Sequence, residues 1–181
     1  MSQTQTALLV GVVVVLVLVA IAYAAWQRRR TAQLQERFGP EYDHTVTTRG
    51  KRRAVSELRQ REKEHAQLDL RPLPPADLER YRARWSAIQS QFVDDPEQAV
   101  QNAEQLSARV MSDRGYPTHN FEEGAAQVSV DHPEVVQRYR AAHSLAIEQE
   151  RGQPTTEELR QAMTAYRSLV EVLLEDGQQQ P

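Results

Sequence analysis

TTEELRQAMTAYRSLVEVLL, residues 155–174, decides the fold class. Thr155 and Glu158 stand at the spacing of a capping box, in which each side chain satisfies a backbone N–H at the start of a helix. Leu159, Ala162, Met163, Tyr166, Leu169, Val170, Leu173 and Leu174 then recur at steps of three and four. That is one broad apolar stripe on a helix, and such a stripe must be buried against other helices. Its length predicts the most buried helix of the chain.

Working towards the N-terminus, the same period returns. Asp131 with Glu134 reads as a cap opening a helix that carries Val135, Val136, Tyr139, Ala142, His143 and Ala146. Asn120 with Glu123 reads as the cap of a short helix with Phe121, Ala125 and Val128, Gly124 lying inside it. Asp95-Pro96 caps and starts a helix with Ala99, Val100, Ala103, Leu106, Val110 and Met111, and Gly115 stands just past its end. Leu78, Tyr81, Trp85, Ile88 and Phe92 form a further stripe. Four substantial amphipathic helices joined by short loops predict a helical bundle over residues 71–177. Gly177 to Pro181 reads as a frayed tail, with residues 178–181 disordered.

Arg71-Pro72-Leu73-Pro74-Pro75 cannot be helical and marks a boundary. Before it, residues 27–70 read as a basic, charged helical stalk. The stalk breaks and restarts at Gly39-Pro40, and Tyr42 with Val46 suggests a short ridge ending near Gly50. Arg53, Glu57 and Arg61 stand at i, i+4 spacing. As a coiled coil the segment is short and interrupted, because Glu62 and His65 occupy seam positions.

Ala7 to Trp26 is a run of twenty residues without a charge, rich in Val, Leu, Ala and Ile. As a helix it would span roughly 30 Å, which predicts a transmembrane helix after a non-cytoplasmic tail at residues 1–6. Tyr23 and Trp26 suit an interface belt. A cleaved signal peptide is the competing reading, but Met1 to Thr6 has no Lys or Arg. The expected fold class is thus all-α: an N-terminal transmembrane helix, a charged helical stalk, and a small bundle of about four main helices.

The 181 residues carry a net charge of −3 that hides an asymmetry. Residues 27–66 hold eleven Arg or Lys against six Asp or Glu, and residues 67–181 hold eleven against nineteen. Arg28, Arg29, Arg30 and Arg37 follow the apolar run. By the positive-inside rule this expects a single-pass protein of the inner cell membrane with its C-terminal domain cytoplasmic. Arg28, Arg29, Arg30, Arg37, Arg52, Arg53, Arg59 and Arg61 are then the candidate membrane-surface residues, with the bilayer and anionic lipid head groups as expected partners.

The segments Glu36-Arg37-Phe38-Gly39-Pro40-Glu41-Tyr42, Arg71-Pro72-Leu73, Phe92-Val93-Asp94-Asp95-Pro96, Arg114-Gly115-Tyr116-Pro117 and Val130-Asp131-His132-Pro133 together resemble a family of uncharacterised bacterial proteins with one N-terminal membrane helix. The resemblance implies the same anchored layout and carries no activity or site residue.

Chemistry-bearing patterns are few. The doublets Asp94-Asp95 and Glu122-Glu123 are adjacent on helices or caps, where capping and the helix dipole account for them. His119 and His132 flank the short helix and His143 sits on a buried stripe, but there is no Cys, no HExxH and no His pair at helical spacing. Gly-rich phosphate loops and the GxSxG motif are also missing, so no cofactor, metal or catalytic residue is expected. The basic residues interleave with acids, which argues against a nucleic-acid footprint. The leading expectation is a membrane-tethered helical interaction or scaffold module with an unknown protein partner. The alternatives are an extracytoplasmic adaptor or sensor, if the topology is reversed, and an unrecognised enzyme.

Overall fold

A computed structural model describes the backbone of residues 3–149 and 154–179, and the side chains of residues 11, 15–26, 28–147 and 154–175. Seven helices are described: α1 (Gln3–Arg49), α2 (Lys51–His65), α3 (Pro75–Asp94), α4 (Pro96–Arg114), α5 (Phe121–Asp131), α6 (Pro133–Gln149) and α7 (Thr156–Gln179).

Helix α7 is the hub of the bundle and packs against α4 and α6, while α3 packs on α4 and α5 on α6. All eight stripe residues from Leu159 to Leu174 are buried. The large core joins them to Leu78, Tyr81, Trp85 and Ile88 of α3, to Val100, Leu106, Val110 and Met111 of α4, and to Val135, Val136 and Tyr139 of α6. The helix ends follow the sequence chemistry. The Gln98 backbone N–H donates to Asp95 Oδ1 at 3.1 Å and the Glu123 N–H to Asn120 Oδ1 at 3.1 Å. Thr155 N–H donates to Glu158 Oε2 at 2.7 Å while Glu158 N–H donates to Thr155 Oγ1 at 3.3 Å, a reciprocal capping box. Asp131 differs. It closes α5 rather than capping α6, which starts at Pro133, and its carboxylate is turned to other partners described below.

At Gly124 the α5 backbone runs against the loop before it. A Cβ built there would lie 2.6 Å from the Pro117 carbonyl oxygen and 3.0 Å from Met111 Cε. Gly124→Ala should therefore destabilise by about 1–3 kcal/mol, although alanine is the better helix former by about 1 kcal/mol. Urea unfolding measures the difference, and a gain in stability would show that the contact relaxes freely.

The stalk does not stand apart. Gly39 adopts φ 43° and ψ −120°, conformations closed to most L-residues, and kinks α1 ahead of Pro40. Gly50, at φ 79°, turns the chain into α2, so that the end of α1 and α2 form a hairpin. This hairpin packs on α5 and α6. Leu34, Phe38 and Tyr42 of α1, Leu58 of α2 and Val130 of α5 make a second, smaller apolar cluster. The expected stalk and four-helix bundle are thus replaced by seven packed helices. The physical reason lies in α1: Leu34 and Phe38 before the kink and Tyr42 after it join one apolar cluster, and burying them outweighs keeping the segment solvated.

The expected anchor is also corrected. Among the described residues no helix is long and apolar enough to cross a membrane. The side chains of residues 7–10 and 12–14, within the expected span, lie outside the described residues. Exposure of the large side chains runs from 47% at Trp26 to 61% at Leu16. The single-pass topology, the inner-membrane location with a cytoplasmic domain, and attachment to the bilayer or to anionic head groups all rested on that span and are not retained.

Candidate functional site

The strongest concentration of buried charge lies where α1, α2, α5 and α6 meet. The kink at Gly39 and Pro40 is immediately followed by Glu41, whose side chain is fully buried. Arg61 Nη1 of α2 donates to Glu41 Oε1 at 2.5 Å. Arg140 Nη1 and Gln137 Nε2 of α6 donate to Glu41 Oε2 at 2.5 and 2.6 Å. Both carboxylate oxygens are therefore satisfied from two different helices. Arg61 also donates to Glu57 Oε1 at 2.7 Å, one turn earlier on α2, and to Ser129 Oγ of α5 at 3.3 Å. Burial opposes ionisation of Glu41, but the Arg140 and Arg61 guanidiniums outweigh it and hold its carboxyl below the usual range. This is a charge kept in place by geometry, not a group poised to exchange a proton near neutrality.

Two further clusters join helices in the same manner. His65 Nε2, at the end of α2, lies 2.9 Å from Asp131 Oδ2 at the end of α5, and Tyr116 donates its hydroxyl to the same oxygen at 3.2 Å. Desolvation works against the Asp131 charge, yet the bonds from His65 and Tyr116 leave its carboxyl below the ordinary aspartate range. In the main bundle, His143 Nδ1 of α6 lies 2.6 Å from Glu104 Oε1 of α4, and the imidazole stacks on Phe121 of α5 at 3.5 Å. Tyr139 and Tyr166 meet edge to face beneath it with centroids 6.0 Å apart, and burial raises both phenols.

A polar cleft of about 910 Å³ opens over the Glu41 cluster, between the hairpin and α5–α6. His44, Arg53, Glu64, Glu122 and Gln127 are among its walls, with Arg61 and Arg140 at the same site. Positive and negative groups alternate there, so the cleft has no single sign of charge with which to select an ion. A smaller, more apolar hollow of about 340 Å³ lies between α6 and α7 over Ala142, Leu145, Ala162 and Ala165.

The eight arginines expected to face a membrane surface differ in their surroundings. Arg28, Arg29, Arg52 and Arg53 are exposed. The Arg30 guanidinium lies 3.7 Å over the Trp26 ring. Arg37 pairs with Glu62 at 3.0 Å and, with Arg30 and Arg59, lines a separate hollow between α1 and α2. Arg61 is committed inside the protein, with its side chain only 11% exposed. The histidines are dispersed too: His119 meets Glu123 at 2.8 Å and His132 meets Glu134 at 3.7 Å. Among the described residues no three His, Cys, Asp or Glu side chains are grouped to hold a metal ion.

Glu41, Gln137 and Arg140 are residues that the sequence reading passed over. The available signal was the position of Glu41 next to Tyr42 and near Phe38, among apolar residues.

No family model, curated protein or solved structure matches the chain. The resemblance to single-helix bacterial membrane proteins accordingly has no support. What stands is an all-α domain with extensive packing between helices.

Proposed function

We propose that this chain is a helical scaffold or interaction domain. The observation that carries this reading is how its chemistry-bearing side chains are used. Each of the three ionic clusters bridges separate helices: Glu41 ties α1 to α2 and α6, His65 and Asp131 tie α2 to α5, and Glu104 with His143 ties α4 to α6. Groups arranged in this way fix relative helix positions and present a defined outer surface. An active site would instead direct them together at a reacting atom.

Site-specific photocrosslinking in cells tests the proposal. Exposed positions such as Arg82 on α3, Gln101 on α4 and Arg167 on α7 would carry the crosslinker one at a time. A discrete crosslinked protein species is expected from one face and not from the others. Glu104→Gln should lower the thermal midpoint and leave that pattern in place. Absence of a discrete species at every exposed position, or an enzymatic turnover abolished by Glu104→Gln, would overturn the reading.

A further inference from the structure

We propose that the hairpin formed by residues 34–65 is a strap, held on α5–α6 by a polar seam and able to leave it as a unit while the remaining bundle stays folded. The division of apolar burial carries this. The large core draws only on residues from Leu73 to Leu174 and includes no buried side chain of α1 or α2. The hairpin has its own small core of Leu34, Phe38, Tyr42 and Leu58, and Val130 alone represents the bundle in it. Beside Val130, polar contacts run along the boundary between the two. Glu41 meets Arg140 and Gln137, Arg61 meets Ser129, Gln127 donates to Glu64 at 3.4 Å, and His65 meets Asp131.

A seam of this kind differs from an apolar core in how it opens. Water replaces the hydrogen bonds of a separated polar interface, so their net contribution is modest and largest for the charged ones, whereas exposed apolar surface has no such substitute. The seam is therefore the plane of lowest local stability in the fold. The covalent layout permits the motion. The hairpin joins the bundle through one connection, a turn at residues 66–68, and beyond it the chain is pinned by the Arg71 N–H to the Arg114 carbonyl at 3.0 Å and by buried Leu73. Opening would uncover Val130, Ser129, Gln137 and Arg140 on one side and Phe38, Tyr42 and Glu41 on the other.

Native-state hydrogen exchange on the full chain tests the strap. In the wild type, amides of residues 41–65 should exchange through one shared opening at urea concentrations where α3, α4 and α7 remain protected. Glu41→Gln removes the charge and keeps the shape. It should speed exchange of residues 41–65 by roughly 10- to 100-fold, the loss expected for charge-assisted bonds, and change α4 and α7 by less than about twofold. Should Glu41→Gln fail to fold, the wild-type urea series alone decides. A single opening shared by all seven helices at every urea concentration, or acceleration in Glu41→Gln spread evenly over the chain, would overturn the proposal.

Discussion

Tyr166→Ala is expected to lower the unfolding free energy by about 3–5 kcal/mol, while Tyr166→Phe leaves it unchanged or raises it by up to about 1–3 kcal/mol. Both expectations come from one side chain read two ways. The Tyr166 ring is fully buried in α7, packs edge-on against Tyr139 and belongs to the large core shared by α3, α4, α6 and α7. Truncation to alanine removes that apolar surface and leaves a cavity that rigid neighbouring helices close only in part. The hydroxyl is a separate matter. It is buried and makes no hydrogen bond among the described residues, and burial raises its pKa well above that of a free phenol. A polar group in that state has lost water without gaining a partner, so deleting it removes a cost. Urea or thermal unfolding of the two variants checks the pair. A phenylalanine variant weaker than the parent by more than 1 kcal/mol or so would reveal a partner for the hydroxyl and refute the second half.

The large core was legible in the sequence because its helices are regular. Leu159 to Leu174 keeps a strict three-and-four spacing, and the caps at Asp95, Asn120 and Thr155 use side chains whose only common helical role is at an N-terminus. Asp131 looked like a fourth such cap, and its cap geometry lost to a tertiary partner, His65, sixty-six residues earlier in the chain. Local pattern cannot foresee a bond of that separation.

The hairpin was harder to read for a related reason. Glu62 and His65 disqualify α2 as an apolar seam, yet these are the residues that reach Arg37 on α1 and Asp131 on α5. Sequence reading assigns charged positions to solvent by default, since burial without a partner is costly. It has no means of seeing that Glu41 has two guanidiniums waiting for it, about twenty and a hundred residues away. The apolar run at the N-terminus misled in the opposite sense. Its length and composition outweighed most other features of the first seventy residues, and the packing of Leu34 and Phe38 with Tyr42 went unread beside it.

Glu41→Leu should destabilise the fold by about 3–5 kcal/mol, and the triple variant with Arg61→Met and Arg140→Met should recover most of that loss. A buried carboxylate with two guanidiniums balances a large desolvation penalty against attraction at short range. Removing only the anion leaves two cations, with side chains 11% and 13% exposed, to Glu57 and Glu122 alone, so that their desolvation is compensated only in part. Removing all three charges abolishes the penalty as well. Acid distinguishes this account from a simple loss of packing. The Glu41 and Asp131 carboxyls both lie below their ordinary values of 4.5 and 3.8 in the folded protein. Their contribution is therefore complete at pH above the unfolded values and is lost as pH falls through the folded ones. Wild-type stability should decline steeply below about pH 4.5, and the triple variant, which keeps only the Asp131 contribution of the two, should decline less. Urea unfolding measured from pH 7 down to pH 3 separates the possibilities. Equal slopes in parent and triple variant, or a triple variant no more stable than Glu41→Leu alone, would show that the network is held by something other than the charge of Glu41.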